Sequence, residues 1–290
     1  MSPKGKIIII GGAIDKGSFS EAEFSDQVEK NLNFFETGIL RKIIDESVKG
    51  VDSIIEIVPT ASRIPEIVGD EYAKAFEYLG VKNVQVLNIR NRQDSMHEEV
   101  LERVERADVV FFTGGDQLRL TSIIGGSALH DLLLHKYENE EFLYVGTSAG
   151  AHSASKSMIY QGDSKEALLK GEVKITSGLG FIDDVVIDTH FVKRGRIGRL
   201  FQAVASNPRS LGIGLGEDTG LLISNGNEMV AIGSGLVILV DGRHIKDTNI
   251  TDVSLGEPIS IKNLVVHVMS KGDSYVLKEH QFSIETKAGV

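Results

Sequence analysis

The chain of 290 residues has no cysteine, no tryptophan and only 5 prolines, and it sets 31 basic side chains against 41 acidic ones. Without thiols there is no cysteine nucleophile, thiolate zinc site, iron–sulfur cluster or redox dithiol. No disulfide is required either, because a chain of this length buries enough surface on folding to be stable without one. The shortage of positive charge, a formal net −10, argues against a nucleic-acid groove, since neutralising phosphates takes concentrated Lys and Arg. No apolar run approaches the roughly 20 residues of a spanning helix. The short run after Lys4 and Lys6 is followed by Asp15 and Lys16, not by the small-residue cleavage site of a secretory signal. Neither a membrane nor a nucleic acid is therefore expected as a partner, and the expected compartment is the cytoplasm.

What is present is an alternation of short apolar runs with segments of helical period. Residues 6–10 form a strand that Gly11-Gly12 breaks. Phe24, Val28, Leu32, Phe35, Ile39, Ile43 and Ile44 then recur mostly at three- or four-residue steps and predict one long amphipathic helix. Further strands are predicted over 53–58, 84–89, 108–113 and 142–145. Between them come a helix opening at Pro65, one opening at a Ser95–Glu98 capping box, and helical segments around 118–124 and 128–137. Strands apolar on both faces and separated by helices imply a parallel sheet covered on both sides, a doubly wound, flavodoxin-like α/β fold. In such folds ligands bind beyond the carboxyl ends of the strands. After residue 210, short strands at 211–215, 221–224, 229–232, 236–240 and 264–269 are punctuated by Asn225-Gly226, Asp241-Gly242 and Gly256 and predict antiparallel hairpins. No linker separates the halves, so residues 1–290 are expected to be one domain, with 210–285 a hairpin-rich extension of it.

The sharpest chemical signal is Gly146-Thr147-Ser148-Ala149-Gly150, a G-x-S-x-G elbow between a strand and a helix. Flanking glycines relieve the strained corner, and the helix start offers Ala149 N–H to a developing oxyanion. The bland alternative is a serine that only caps a helix. A serine nucleophile needs a base, and the base needs an orienting acid. Of eight histidines, His190 ends the apolar strand 184–187 where a Gly/Arg-rich loop begins, the position favoured for a base. His152 is near Ser148 in sequence but is expected to point along the elbow helix, away from the hydroxyl. Glu217, just after strand 211–215, and Glu166, in the polar loop 161–166, compete as the orienting acid, with Asp188 behind them. Arg194, Arg196 and Arg199 form a basic cluster suited to gripping a carboxylate. Gly114-Gly115-Asp116-Gln117 repeats the strand-end logic: Gly115 N–H is a second candidate oxyanion donor, and Gln117 offers a neutral amide to substrate.

With these motifs in their order and spacing, the chain resembles the cyanophycinases, a group within the serine-peptidase family that also holds peptidase E. The resemblance implies a class I glutamine-amidotransferase-like sandwich in which serine replaces the amidotransferase cysteine. It implies hydrolysis, through an acyl-enzyme, of the polyaspartate backbone of cyanophycin or other β-linked aspartyl peptides to β-aspartyl-arginine. Ser148 would be the nucleophile, His190 the base, and Glu217 or Glu166 the acid, with Gln117, Asp188, Arg194, Arg196 and Arg199 lining the pocket. No cofactor or metal is implied, and a homodimer is the family's habit. The alternatives are an α-aspartyl dipeptidase of the peptidase E type and a non-enzymatic binding module.

Overall fold

The computed structural model describes residues 2–17 and 34–286. The first half alternates β1 (Lys6–Ile10), α1 (Ile39–Glu46), β2 (Ile54–Val58), α2 (Pro65–Tyr78), β3 (Asn83–Val86), α3 (Glu98–Arg106), β4 (Val109–Phe112), α4 (Gln117–Ile124), α5 (Ala128–Asn139) and β5 (Leu143–Thr147). The five strands are parallel, in the order β1-β5-β4-β2-β3. Their apolar runs are buried on both faces. Ile7 and Ile9 face one side with α4 and α5, while Ile8 and Ile10 face the other with α1 and α2. Because strand side chains alternate faces, an unbroken run of isoleucines is what a sheet covered on both sides requires.

The second half contains α6 (Ala149–Ala154), β6 (Ser157–Gln161), β7 (Lys174–Ser177), β8 (Val185–Thr189), α7 (Ile197–Ser206), β9 (Leu211–Leu215), β10 (Thr219–Ser224), β11 (Glu228–Gly233) and β12 (Val237–Asp241), then β13 (Asp247–Thr248), β14 (Ile261–Lys262), β15 (Val265–Met269), β16 (Ser274–Val276) and β17 (Gln281–Ser283). Strand β10 joins the main sheet antiparallel to β1, and β11, β16 and β17 extend it. A second sheet, β15-β12-β9-β8, packs through Val185, Ile187, Ile213 and Leu239 into the core beneath the main sheet. Helix α7 covers its outer face through Leu200, Ala203 and Val204.

Three local expectations are corrected. The long amphipathic helix begins only at Ile39: Phe34 to Gly38 form a turn, and the extended backbone of Gly38 caps α1; Phe24, Val28 and Leu32 lie outside the described residues. No capping box forms at Ser95, whose hydroxyl donates to the Arg92 and Ile123 carbonyls while His97 caps α3. Strand β9 is no hairpin partner of β10. It pairs parallel with β8 and antiparallel with β12 in the second sheet, because five fully buried residues must be covered on both faces.

Candidate active site

The carboxyl ends of β1, β4, β5, β8 and β9 converge on one point. β5 ends in the elbow. Ser148 has φ 51° and ψ −106°, and its N–H donates to the Ile10 carbonyl at the end of β1. The glycines are there for space: a Cβ on Gly146 would collide with the Gly150 carbonyl, and one on Gly150 with Phe112. The elbow therefore lies flat on β4, and Ser148 faces the strand ends.

His190 follows β8 with φ 50° and donates its own N–H to the Gly11 carbonyl. This brings its Nε2 to 3.2 Å from Ser148 Oγ across 42 residues of sequence. On the other side Nδ1 lies 3.0 Å from Glu217 Oε1. The arrangement is a neutral imidazole donating from Nδ1 to a carboxylate and accepting the serine proton at Nε2. Burial pushes the His190 imidazole below its ordinary 6.5; the hydrogen bond to Glu217 opposes this, while Arg194 and Arg196 add to it. The ring is thus an unprotonated acceptor near neutral pH. A hydrogen bond from Lys193 Nζ to Oε2, at 2.8 Å, leads in holding the Glu217 carboxyl below the usual range, with His190 contributing. Glu166 is exposed and makes no hydrogen bond to His190.

The remaining candidates divide into those at the opening and those behind it. A Cβ built on Gly114 would lie 3.3 Å from Ser148 Cβ, so the Gly114–Gly115 backbone borders the Ser148 side chain. Gly115 has φ 144° and packs on the Ala61 carbonyl too closely for any side chain. Among the described residues nothing accepts a hydrogen bond from Gly115 N–H or Ala149 N–H. Gln117 donates to the Ile159 and Tyr160 carbonyls, at 3.1 and 3.4 Å, leaving its amide oxygen free to accept. Arg194 is exposed, with no ion pair among the described residues.

Arg196 and Arg199 depart from the expected carboxylate clamp and turn to Asp188. Asp188 is wholly buried. Its Oδ1 accepts from Thr189 N–H at 2.9 Å and from Arg196 Nη1 at 3.2 Å. Arg199 Nε lies 3.0 Å from Oδ2, an ion pair whose N–H is not aimed along the contact. Both arginines are committed to this carboxylate, and of the three only Arg194 has no ion pair among the described residues. The physical reason is desolvation: a buried guanidinium such as Arg199 must keep an anion beside it. His152 also turns toward Asp188, away from the Ser148 hydroxyl as expected, with Nε2 at 3.2 Å from Oδ1.

Two residues not singled out in sequence matter here. Gly12, with φ 103°, lies against His190: a Cβ there would be 2.6 Å from Nε2. Its carbonyl also accepts from Asp218 N–H, beside Glu217. The only signal was a glycine pair at the end of the first strand. Lys193, which precedes the arginine cluster, carried no signal of its own. The site is separate from a cleft of about 1140 Å³ at the opposite ends of the strands, bordered by Lys4, Tyr137, Asp184 and Arg209.

Comparison with known proteins gives the family and the fold. The chain is 38% identical over 232 residues to a cyanophycinase from Synechococcus elongatus, covering 80% of this chain and 72% of that one. It is 34% identical over 274 residues to a cyanophycinase from Trichormus variabilis, covering 94% and 86%. The crystal structure of a peptidase from an acI-B1 Actinobacterium superposes with a TM-score of 0.65 over 95% of this chain and 98% of that one, at 18% identity, a likeness of fold. The model of peptidase family S51 matches residues 33–231. With a serine, a histidine and a glutamate joined by hydrogen bonds at its strand ends, the chain belongs to peptidase family S51.

Proposed function

We propose that this peptidase hydrolyses the polyaspartate backbone of cyanophycin and releases β-aspartyl-arginine. The observation that carries the reading is the 3.2 Å approach of Ser148 Oγ to His190 Nε2, in a chain whose relatives at 34–38% identity are cyanophycinases. Ser148 attacks the α-carbonyl of an aspartyl unit as His190 takes its proton, and Glu217 orients and balances the imidazolium that forms. Gly115 and Ala149 N–H, which meet no acceptor among the described residues, receive the oxyanion. His190 returns the proton to the leaving amine, and water then releases the acyl group with the same imidazole as base. Arg194, the unpaired cation one turn beyond His190, suits a substrate carboxylate, and the Gln117 amide oxygen suits a substrate N–H.

The test is product analysis on purified polymer by mass spectrometry. Ser148→Ala should lower β-aspartyl-arginine release by about 10³-fold or more. Wild-type rates in that variant would end the proposal. Preference for α-aspartyl dipeptides such as Asp-Leu over polymer would move the protein to the peptidase E type. A cytoplasmic homodimer belongs to the same reading. The exposed Val266 and Val268 on edge strand β15 are its natural pairing surface.

A further inference from the structure

The elbow helix carries a buried histidine that the proposed mechanism does not use. His152 is 3% exposed, lies one helical turn beyond Ser148, and touches neither the hydroxyl nor the opening. Its main-chain N–H donates to the Ser148 carbonyl at 3.0 Å, the ordinary first bond of the helix. Its side-chain Nδ1 reaches the same oxygen, also at 3.0 Å. Nε2 faces Asp188 Oδ1 at 3.2 Å, and Asp188 is in turn held by Arg196, Arg199 and the Thr189 N–H. The two atoms that face the ring most closely are the Ser148 carbonyl oxygen, an acceptor that a proton on Nδ1 would meet, and Asp188 Oδ1 on the Nε2 side.

The consequence concerns the other end of one peptide group. In a trans peptide the C=O and the next N–H point in opposite directions. Fixing the Ser148 carbonyl from below therefore fixes Ala149 N–H above, where no acceptor among the described residues holds it. We infer that His152 is a positioning residue: through the Ser148 carbonyl it aims the Ala149 oxyanion donor, and through Asp188 it ties that aim to strand β8. The inference rests on the reading of Ser148 as nucleophile and Ala149 as oxyanion donor. It assigns the buried Asp188–Arg199 pair a task behind the site.

The test separates the two ring nitrogens. In His152→Asn the amide nitrogen can take the place of Nδ1 and keep the bond to the Ser148 carbonyl. In His152→Gln it can take the place of Nε2 and keep only the Asp188 contact. The Gln variant should lose about 10- to 100-fold in kcat, less than the ~10²–10³ for outright removal of a donor, with KM unchanged. The Asn variant should stay within a few-fold of wild type. A merely structural histidine would give equal losses in both, or lowered melting temperatures with kcat per folded molecule intact, and either result overturns the inference. Independently of any change at 152, ¹⁵N-histidine NMR of Ser148→Ala protein should show a proton on His152 Nδ1. A bare Nδ1 accepting from the Thr189 hydroxyl, now 3.4 Å away, would also overturn it. Polymer cleavage that survives Ser148→Ala would instead defeat the underlying reading, so the two failures are distinct.

Discussion

At the scale of single residues, the proposed mechanism depends on two groups held away from their ordinary ionisation. His190 is desolvated enough to stay a neutral acceptor, while Glu217 is held as an anion by Lys193 and His190. A base is active only when unprotonated, so activity falls as pH drops through the His190 pKa, and the acid limb of kcat/KM should lie below pH 6.5. Arg194→Ala removes a positive charge that disfavours the imidazolium; the His190 pKa then rises and the limb moves to higher pH, which a pH–rate profile will read directly. The choice between acids is tested in the same assay. Glu217→Gln should cost about 10²- to 10⁴-fold in kcat. Glu166→Gln, exposed and unconnected to His190, should stay within a few-fold of wild type. Identical behaviour of the two variants would refute the role given to Glu217.

At the scale of elements, the site is a meeting of turns that only strained or side-chain-free residues can make. Ser148 and His190 both sit at positive φ, and Gly12 leaves the room that the imidazole occupies. Gly12→Ala would place a methyl group in van der Waals overlap with the ring. It should displace His190 from Ser148 and lower kcat at least about tenfold, while costing only about 1–3 kcal/mol of stability. Urea unfolding beside kinetics separates the two effects: a variant that loses stability but keeps full kcat would show that His190 tolerates the intrusion. The elbow was legible because G-x-S-x-G between a strand and a helix has a steric meaning that local sequence carries. Gly12 was not, because the side chain it makes room for enters from residue 190.

At the scale of the whole molecule, a buried charge cluster joins the second sheet to helix α7 and to the elbow. Asp188, wholly buried, sits among Arg196, Arg199 and His152. Asp188→Asn leaves Arg199 without its counter-charge and should destabilise the protein by about 3–5 kcal/mol, read from denaturant unfolding; a change under about 1 kcal/mol would mean that the cluster relaxes or hydrates freely. The amino-acid sequence by itself determined the parallel sheet, the elbow serine and the strand-end histidine. Each is written in local alternation of apolar runs and glycine breaks, and a strand's carboxyl end is a fixed place in such folds. Tertiary structure alone decided that β9 joins β8 and not β10, that Glu217 and not Glu166 meets His190, and that two of three arginines turn inward. Those outcomes depend on which distant groups share a desolvated volume. There a charge must find its partner through space, and neighbours along the chain do not set the choice.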